Sequence, residues 1–170
     1  MKSLIKQVQD WSEVKGLHEA DPKGQALKVI EEFTEMITEI GNGDVDAICD
    51  GVGDTYVTLI ILGQQLGIDF YARKNIAKRT LGAASYDKGY ARDTVTGPAA
   101  FDAINTLATG VSKSNISLVL HAFTKFLALL ERVLIIYDVT DAYCLEMAYN
   151  EIKDRRGKMV NGIFVKESDL

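Results

Sequence analysis

Proline is nearly missing from this 170-residue chain, with 2 residues, and cysteine is as scarce, with 2. So little proline removes the strongest helix breaker and leaves room for long helices. Cys49 and Cys144 lie far apart, with no CxxC and no ligand spacing. That excludes a disulfide framework and a thiolate metal knuckle, and the expected setting is a reducing cytoplasm. The longest apolar run, Val57 to Leu62 with its flanks, is interrupted by Gln64 and Gln65 and is too short to span a bilayer. Met1-Lys2-Ser3 leads into charged residues, so no signal peptide is expected. There is no GxxxxGK[ST], Gly51-Val-Gly53 follows no strand, and HExxH and GxSxG are both missing. P-loop, dinucleotide-fold, zinc-protease and serine-elbow chemistry are excluded accordingly. The most telling absence is positive charge: no Lys or Arg stands between Lys28 and Arg73.

What fills that gap is acid. Glu31, Glu32, Glu35, Glu39, Asp44, Asp46, Asp50, Asp54 and Asp69 are set among apolar runs such as Val29-Ile30 and Met36-Ile37. Gly41-Asn42-Gly43 marks a turn between two apolar-periodic segments, which predicts a helical hairpin over about 22–40 and 44–67. Glu32 and Glu35 share a face of the first arm, as do Glu31 and Glu35, and Asp50 and Asp54 share a face of the second. Counted from Asn42, Glu35 lies about 10 Å down one arm and Asp50 about 12 Å down the other. Glu32 and Asp54 come out at roughly 15 and 18 Å, so the pairs meet across the hairpin. The first arm alone reads as amphipathic, with Ala26, Ile30, Phe33, Ile37 and Ile40 inward and a solvated acidic face. The second arm is apolar or small nearly all round, and Asp50 and Asp54 are costly there without a partner. An oxygen-only cluster of this kind suits a hard divalent cation such as Mg²⁺ or Mn²⁺.

The remaining composition predicts one mostly helical domain over 1–170: 47% apolar residues, 25% charged, net charge −5. The charge pattern does not suit duplex nucleic acid, and no membrane partner is expected. Residues 4–15 read as a first helix carrying Trp11, which is either core or a stacking surface. Asp21 and Pro22 suit the start of the next helix. Between 69 and 92, Arg73, Lys74, Lys78, Arg79, Lys88 and Arg92 alternate with Tyr71, Tyr86 and Tyr90. This reads as a solvated basic helix followed by a loop, with single-stranded nucleic-acid binding or an anionic substrate as alternatives. Thr94 to Pro98 reads as a loop, Ala99 to Val111 as a helix, and Ser114-Asn115 as the cap of a long helix to about Ile136. His18 reads as a surface residue and His121 as core or interfacial. A last helix is expected from Asp138 to about Arg156, followed by a β-hairpin around Asn161-Gly162.

Four stretches together resemble the MazG-like all-α nucleoside triphosphate pyrophosphohydrolases. They are Trp11 with Lys15-Gly16-Leu17, the segment Gln25 to Met36 with Glu31-Glu32 and Glu35, Asp50-Gly-Val-Gly-Asp54-Thr-Tyr-Val, and Ala148-Tyr-Asn150-Glu-Ile-Lys153-Asp-Arg-Arg156-Gly-Lys158. The family pattern is EExxE, then ExxD on the next helix, then a basic Asn/Lys/Arg segment. Residues 69–135 carry little of it and read as a variable helical insertion. The chain departs from the pattern at Gly51, where the family has Glu, and Asp50 stands one residue earlier.

The resemblance implies an all-α MazG-like bundle around the antiparallel hairpin, with a small C-terminal β-hairpin. It implies hydrolysis of a (deoxy)nucleoside triphosphate to the monophosphate and pyrophosphate, with Mg²⁺ bound by Glu32, Glu35, Asp50 and Asp54 and Mn²⁺ able to substitute. Glu31 and Glu35 would orient or activate water. Lys153, Arg156 and Asn150 would take the phosphates, with Trp11 and Gln25 bordering the base. Compact phage-type relatives clear dGTP, which makes dGTP one expected substrate. A homodimer or homotetramer is also implied, with the 116–136 helix as interface. Two rivals are a dimeric all-α dUTPase-type hydrolase and a non-catalytic acidic module that binds a basic partner.

Overall fold

The computed structural model describes residues 1–81, 88–160 and 163–169. The order is α1 (Lys2–Val14), a 3₁₀ turn at Leu17–Glu19, α2 (Pro22–Asn42), α3 (Val45–Leu66), α4 (Phe70–Leu81), α5 (Lys88–Thr96), α6 (Pro98–Ser112), α7 (Ile116–Tyr137) and α8 (Asp141–Ile152). A two-stranded ribbon, β1 (Gly157–Val160) and β2 (Ile163–Lys166), follows. Among the described residues no helix is long and apolar enough to cross a membrane.

The hairpin forms where the sequence places it. The Asp21 carboxylate accepts the Lys23 N–H at 2.9 Å, and Pro22 occupies the first turn of α2. The helix runs two residues further than expected and reverses at Gly43, whose φ of 78° is left-handed. Asp44 then starts α3, its Oδ1 accepting the N–H groups of Asp46 and Ala47, both at 3.1 Å. One of the nine acids is thereby a helix cap. Asp44→Ala is expected to lower stability by about 1 kcal/mol in thermal unfolding.

The axis of the fold is α3, buried from Thr55 to Gly63 without interruption and flanked by α2, α8 and α1. The helices α6 and α7 form a second hairpin, against which α4 and α5 pack and whose α6 also touches α2. The Phe33 and Phe126 rings meet edge to face at 4.8 Å, joining α2 to α7. The apolar side of α7 is consumed by the chain's own core. Phe123, Phe126, Leu127 and Leu130 are fully buried, while Ile116 and Ile135 are its exposed large apolar side chains. The expected interface role for this helix thus finds most of its apolar surface already covered.

The basic stretch after α3 is not simply solvated. Lys74 of α4 is 2% exposed. Its ammonium donates to the Tyr56 hydroxyl at 2.8 Å, pairs with Glu131 of α7, and lies 3.2 Å from the Asp141 carboxylate of α8. Lys78 reaches Asp141 at 3.2 Å and Glu131 at 3.6 Å. Burial would raise the Asp141 carboxyl, but the two lysines outweigh it and hold it below its ordinary value. Tyr56 is pushed well above the usual phenol range by burial first and then by Glu131 and Asp141. A buried lysine holding two carboxylates is sequence-silent, because it looks like any other basic residue on a helix.

Three further boundaries differ from expectation. Thr94 to Thr96 belong to α5 because Val95 is fully buried, so helical geometry continues up to Gly97. Asp138 does not open α8; it closes α7 with a left-handed φ of 56°, and Thr140 caps α8 through the Tyr143 N–H at 3.2 Å. The last helix ends at Ile152, four residues early. Gly157 is already paired with Lys166 in the ribbon, where a Cβ would lie 2.2 Å from the Val165 carbonyl oxygen. Arg156 is therefore not on the helical face that Lys153 was expected to share. The Asn161-Gly162 turn and Tyr86 lie outside the described residues, as do the side chains of Lys88 and Tyr90. His121 is exposed on α7, and His18 is half-buried beside Glu19.

Candidate functional site

An open cleft of about 310 Å³ lies between α2 and α3. Glu32 and Glu35 line it from α2, Asp50 and Asp54 from α3, with Met36 and Gly51 between them. All four carboxylates expected to meet across the hairpin share this one cleft.

The inward stripe of α2 is rotated slightly from the sequence reading. Val29, Phe33 and Met36 are fully buried, whereas Ile30 and Ile37 are only partly so. The rotation carries Glu32 to the edge of the core, where its side chain is 20% exposed, and leaves Glu35 open to solvent. Glu31 points elsewhere: it is exposed and pairs with Lys28 at 2.8 Å, outside the cleft lining.

The charges in the cleft are in conflict. The Asp54 carboxyl is pushed up to about 7, by burial first and then by Glu32, Asp50 and Glu151, with Arg155 only partly opposing. Glu32 is raised by burial, which Lys28 opposes and Glu35 and Glu31 reinforce. Asp50 is raised by burial and by Glu151. Two residues that sequence reasoning missed thus act here. Glu151 is the last residue but one of α8 and Arg155 stands three residues past the helix end, their side chains 3.6 Å apart and outside the cleft lining. Their signal was the i, i+4 acid–base spacing, hidden because the helix was extended to Arg156 and its cations were read at Lys153 and Arg156.

The other expected substrate residues lie elsewhere. Trp11, Lys15, Tyr149 and Lys153 line a second cleft of about 300 Å³ between α1 and α8, which shares no lining residue with the first. Lys153 Nζ donates to the Asn150 side-chain oxygen at 2.9 Å. The Trp11 ring meets Phe164 of the ribbon at 6.0 Å, and its indole nitrogen is buried without an acceptor among the described residues. Gln25 is buried and donates to the Thr58 carbonyl at 3.1 Å, tying α2 to α3. Arg156 is exposed, and its backbone carbonyl accepts the Glu167 N–H at 3.0 Å.

Among the described residues no three His, Cys, Asp or Glu side chains converge as a ready-made metal cage. The carboxylates ring the cleft without closing on a point. All four are hard oxygen donors, the type that Mg²⁺ takes in general, but they are not gathered into one ligand set. Asp54 supplies the physical motive, since a cation would favour the ionised form that burial and its neighbours oppose.

No family model matches the chain. No solved structure matches it either. An uncharacterized 18.2 kDa protein from the rep-hol intergenic region of Haemophilus phage HP1 (strain HP1c1) is 35% identical over 75 residues. That likeness covers 44% of this chain and 46% of the phage protein, so the chain spans under half the length of the relative it matches.

Proposed function

We propose that this chain is a MazG-like hydrolase that splits a (deoxy)nucleoside triphosphate into the monophosphate and pyrophosphate, with Mg²⁺, or Mn²⁺ in its place, at Glu32, Glu35, Asp50 and Asp54. The observation that carries the reading is geometric: Glu32 and Glu35 of α2 and Asp50 and Asp54 of α3 line one cleft, with Asp54 half-buried on its α3 side. A hard cation bound there would neutralise phosphate oxygens and lower the pKa of a water.

The chain's own residues supply the rest. Asp50 and Asp54, fixed on the most buried helix of the fold, are rigid oxygen donors. Glu35, exposed on α2 where it lines the cleft, would accept the proton of the attacking water. That water's oxygen bonds to the α-phosphorus, and the bridging oxygen to the β-phosphorus leaves with pyrophosphate. Arg155 is the cation whose field reaches both Glu32 and Asp54, so it replaces Arg156 as the proposed phosphate partner. Trp11, Tyr149 and Lys153 offer the base a ring-and-ammonium surface on the α1 side of α8. Glu31, held by Lys28, is proposed only as a distant contributor to the field.

The test is direct. Purified protein is incubated with each NTP and dNTP, dGTP and dUTP included, with Mg²⁺ or Mn²⁺, and the products are separated. Pyrophosphate is the expected product; inorganic phosphate alone, or no turnover, refutes the proposal. Glu35→Gln is expected to lower kcat by about 100-fold or more while the protein stays folded. Arg155→Ala is expected to raise KM by roughly tenfold, a loss of one charge-assisted bond to phosphate.

A further inference from the structure

The cleft between α1 and α8 has rings and ammonium groups on both of its walls. Trp11, Val14 and Lys15 line it from α1, and Tyr149 and Lys153 from α8. Positions 11, 14 and 15 fall on one face of α1, and 149 and 153, four apart, share a face of α8. Val14 is 81% exposed, an apolar side chain that nothing in the described chain covers. The Trp11 indole N–H is buried without an acceptor among the described residues, a donor that the fold leaves unmet.

The two ammonium groups stand out in a chain of net charge −5. Lys153 donates to the Asn150 side-chain oxygen at 2.9 Å, and the Lys15 ammonium lies 6.0 Å from the Phe164 ring centroid. Among the described residues neither lysine forms an ion pair with a carboxylate. The acid of the lining, Asp10, is already held by Lys6 at 2.7 Å. The cleft is therefore left with positive charge that no group of the described chain balances. The acids of the other cleft are also kept away. Residue 151 points about 200° around α8 from both 149 and 153, so Glu151, whose field reaches Asp50 and Asp54, faces the other side of the helix.

We propose that the α1–α8 cleft is by itself a binding site for a nucleoside monophosphate, with the base against Trp11 and Tyr149 and the phosphate shared by Lys15 and Lys153. Its volume of about 300 Å³ lies at the small end for ligand sites, which suits one base, sugar and phosphate rather than two. Stacking on rings tolerates any base, and two ammonium groups suit a phosphate dianion, so both halves of the ligand contribute. Binding here needs neither a metal nor the four carboxylates of the acidic cleft, and so it goes beyond the hydrolase reading and stands apart from it.

Trp11 is the chain's only tryptophan, so its emission reports on this cleft. AMP is titrated into the full chain in EDTA, with adenosine and ribose 5-phosphate as the two half-ligands, and binding heats are measured alongside. AMP should change the Trp11 emission saturably, and each half-ligand should bind at least about tenfold more weakly. Lys15→Met and Lys153→Met, which keep the apolar stems, should each weaken AMP by roughly tenfold. Asp54→Asn should bind AMP like wild type. The proposal is overturned by no saturable change at millimolar AMP, by binding heat without a Trp11 response, or by half-ligands that bind as tightly as AMP. Lysine variants that bind like wild type, or AMP binding that requires Mg²⁺ or is lost in Asp54→Asn, overturn it as well. AMP binding without triphosphate turnover refutes the hydrolase reading alone, whereas turnover without AMP binding refutes this inference alone.

Discussion

Asp54→Asn is expected to stabilise the metal-free protein by roughly 2–4 kcal/mol above pH 7, while removing its affinity for divalent ions. The folded-state carboxyl titrates near 7, against an ordinary value of 3.8. The native state therefore binds this proton more tightly than the unfolded chain does. Its contribution is fully present below about pH 4 and is lost as pH rises towards 7, after which the penalty is constant. Three units at about 1.4 kcal/mol each bound the effect near 4 kcal/mol. Other groups shift the opposite way, Asp141 among them, so the measurement is the difference between wild type and variant at each pH. Urea unfolding at pH 4 and pH 8, without divalent ions, should show nearly equal stabilities at pH 4 and a more stable variant at pH 8. Equal stabilities at both would mean that Asp54 is not in a strained site. Adding Mg²⁺ at pH 8 should then stabilise wild type, by about 2.7 kcal/mol at a hundred times its Kd, and leave Asp54→Asn unchanged.

The second large effect concerns the buried lysine. Lys74→Met should destabilise the protein by about 3–5 kcal/mol, because it leaves Glu131 nearly buried with only the more distant Lys78 to balance it. For a chain of this size that corresponds to a fall in Tm of roughly 10–15 °C. Lys74→Met combined with Glu131→Leu should recover much of the loss, since both charges leave the interior together. Loss of stability in the double variant equal to the sum of the singles would show that the pair is not coupled. Turnover at the acidic cleft, measured well below the melting temperature, should survive in both, because the network joins α4, α7 and α8 away from the cleft lining.

The acidic hairpin was legible because its signals are local. Asp21-Pro22 is a cap whose hydrogen bond runs within two residues, and the chain reverses within the Gly41-Asn42-Gly43 turn, both where the sequence places them; the Asp44 cap was not foreseen. That Glu32, Glu35, Asp50 and Asp54 face one cleft followed from helical spacing and the rise per residue alone. The inward face of α2 did not follow fully, because it is chosen by Val29 and Met36, each one residue before the Ile30 and Ile37 of the expected stripe. Glu151 and Arg155 were missed for a related reason: where α8 stops depends on the ribbon behind it, through the crowding at Gly157. The stretch after α3 was misjudged at Lys74 because burial of a lysine depends on acids 57 and 67 residues away.

What the sequence by itself determined is the helical class, the hairpin, its Asp21 cap and the concentration of unbalanced acid, all of them set by neighbours along the chain. The tertiary structure alone decided which acids line one cleft, and that the tryptophan and Lys153 line a separate one. The physical reason is that helix–helix distance is fixed by atoms remote in sequence. At Gly51 and Gly53 the missing methyl groups have meaning only once Met36 and Cys144 are seen pressed against them.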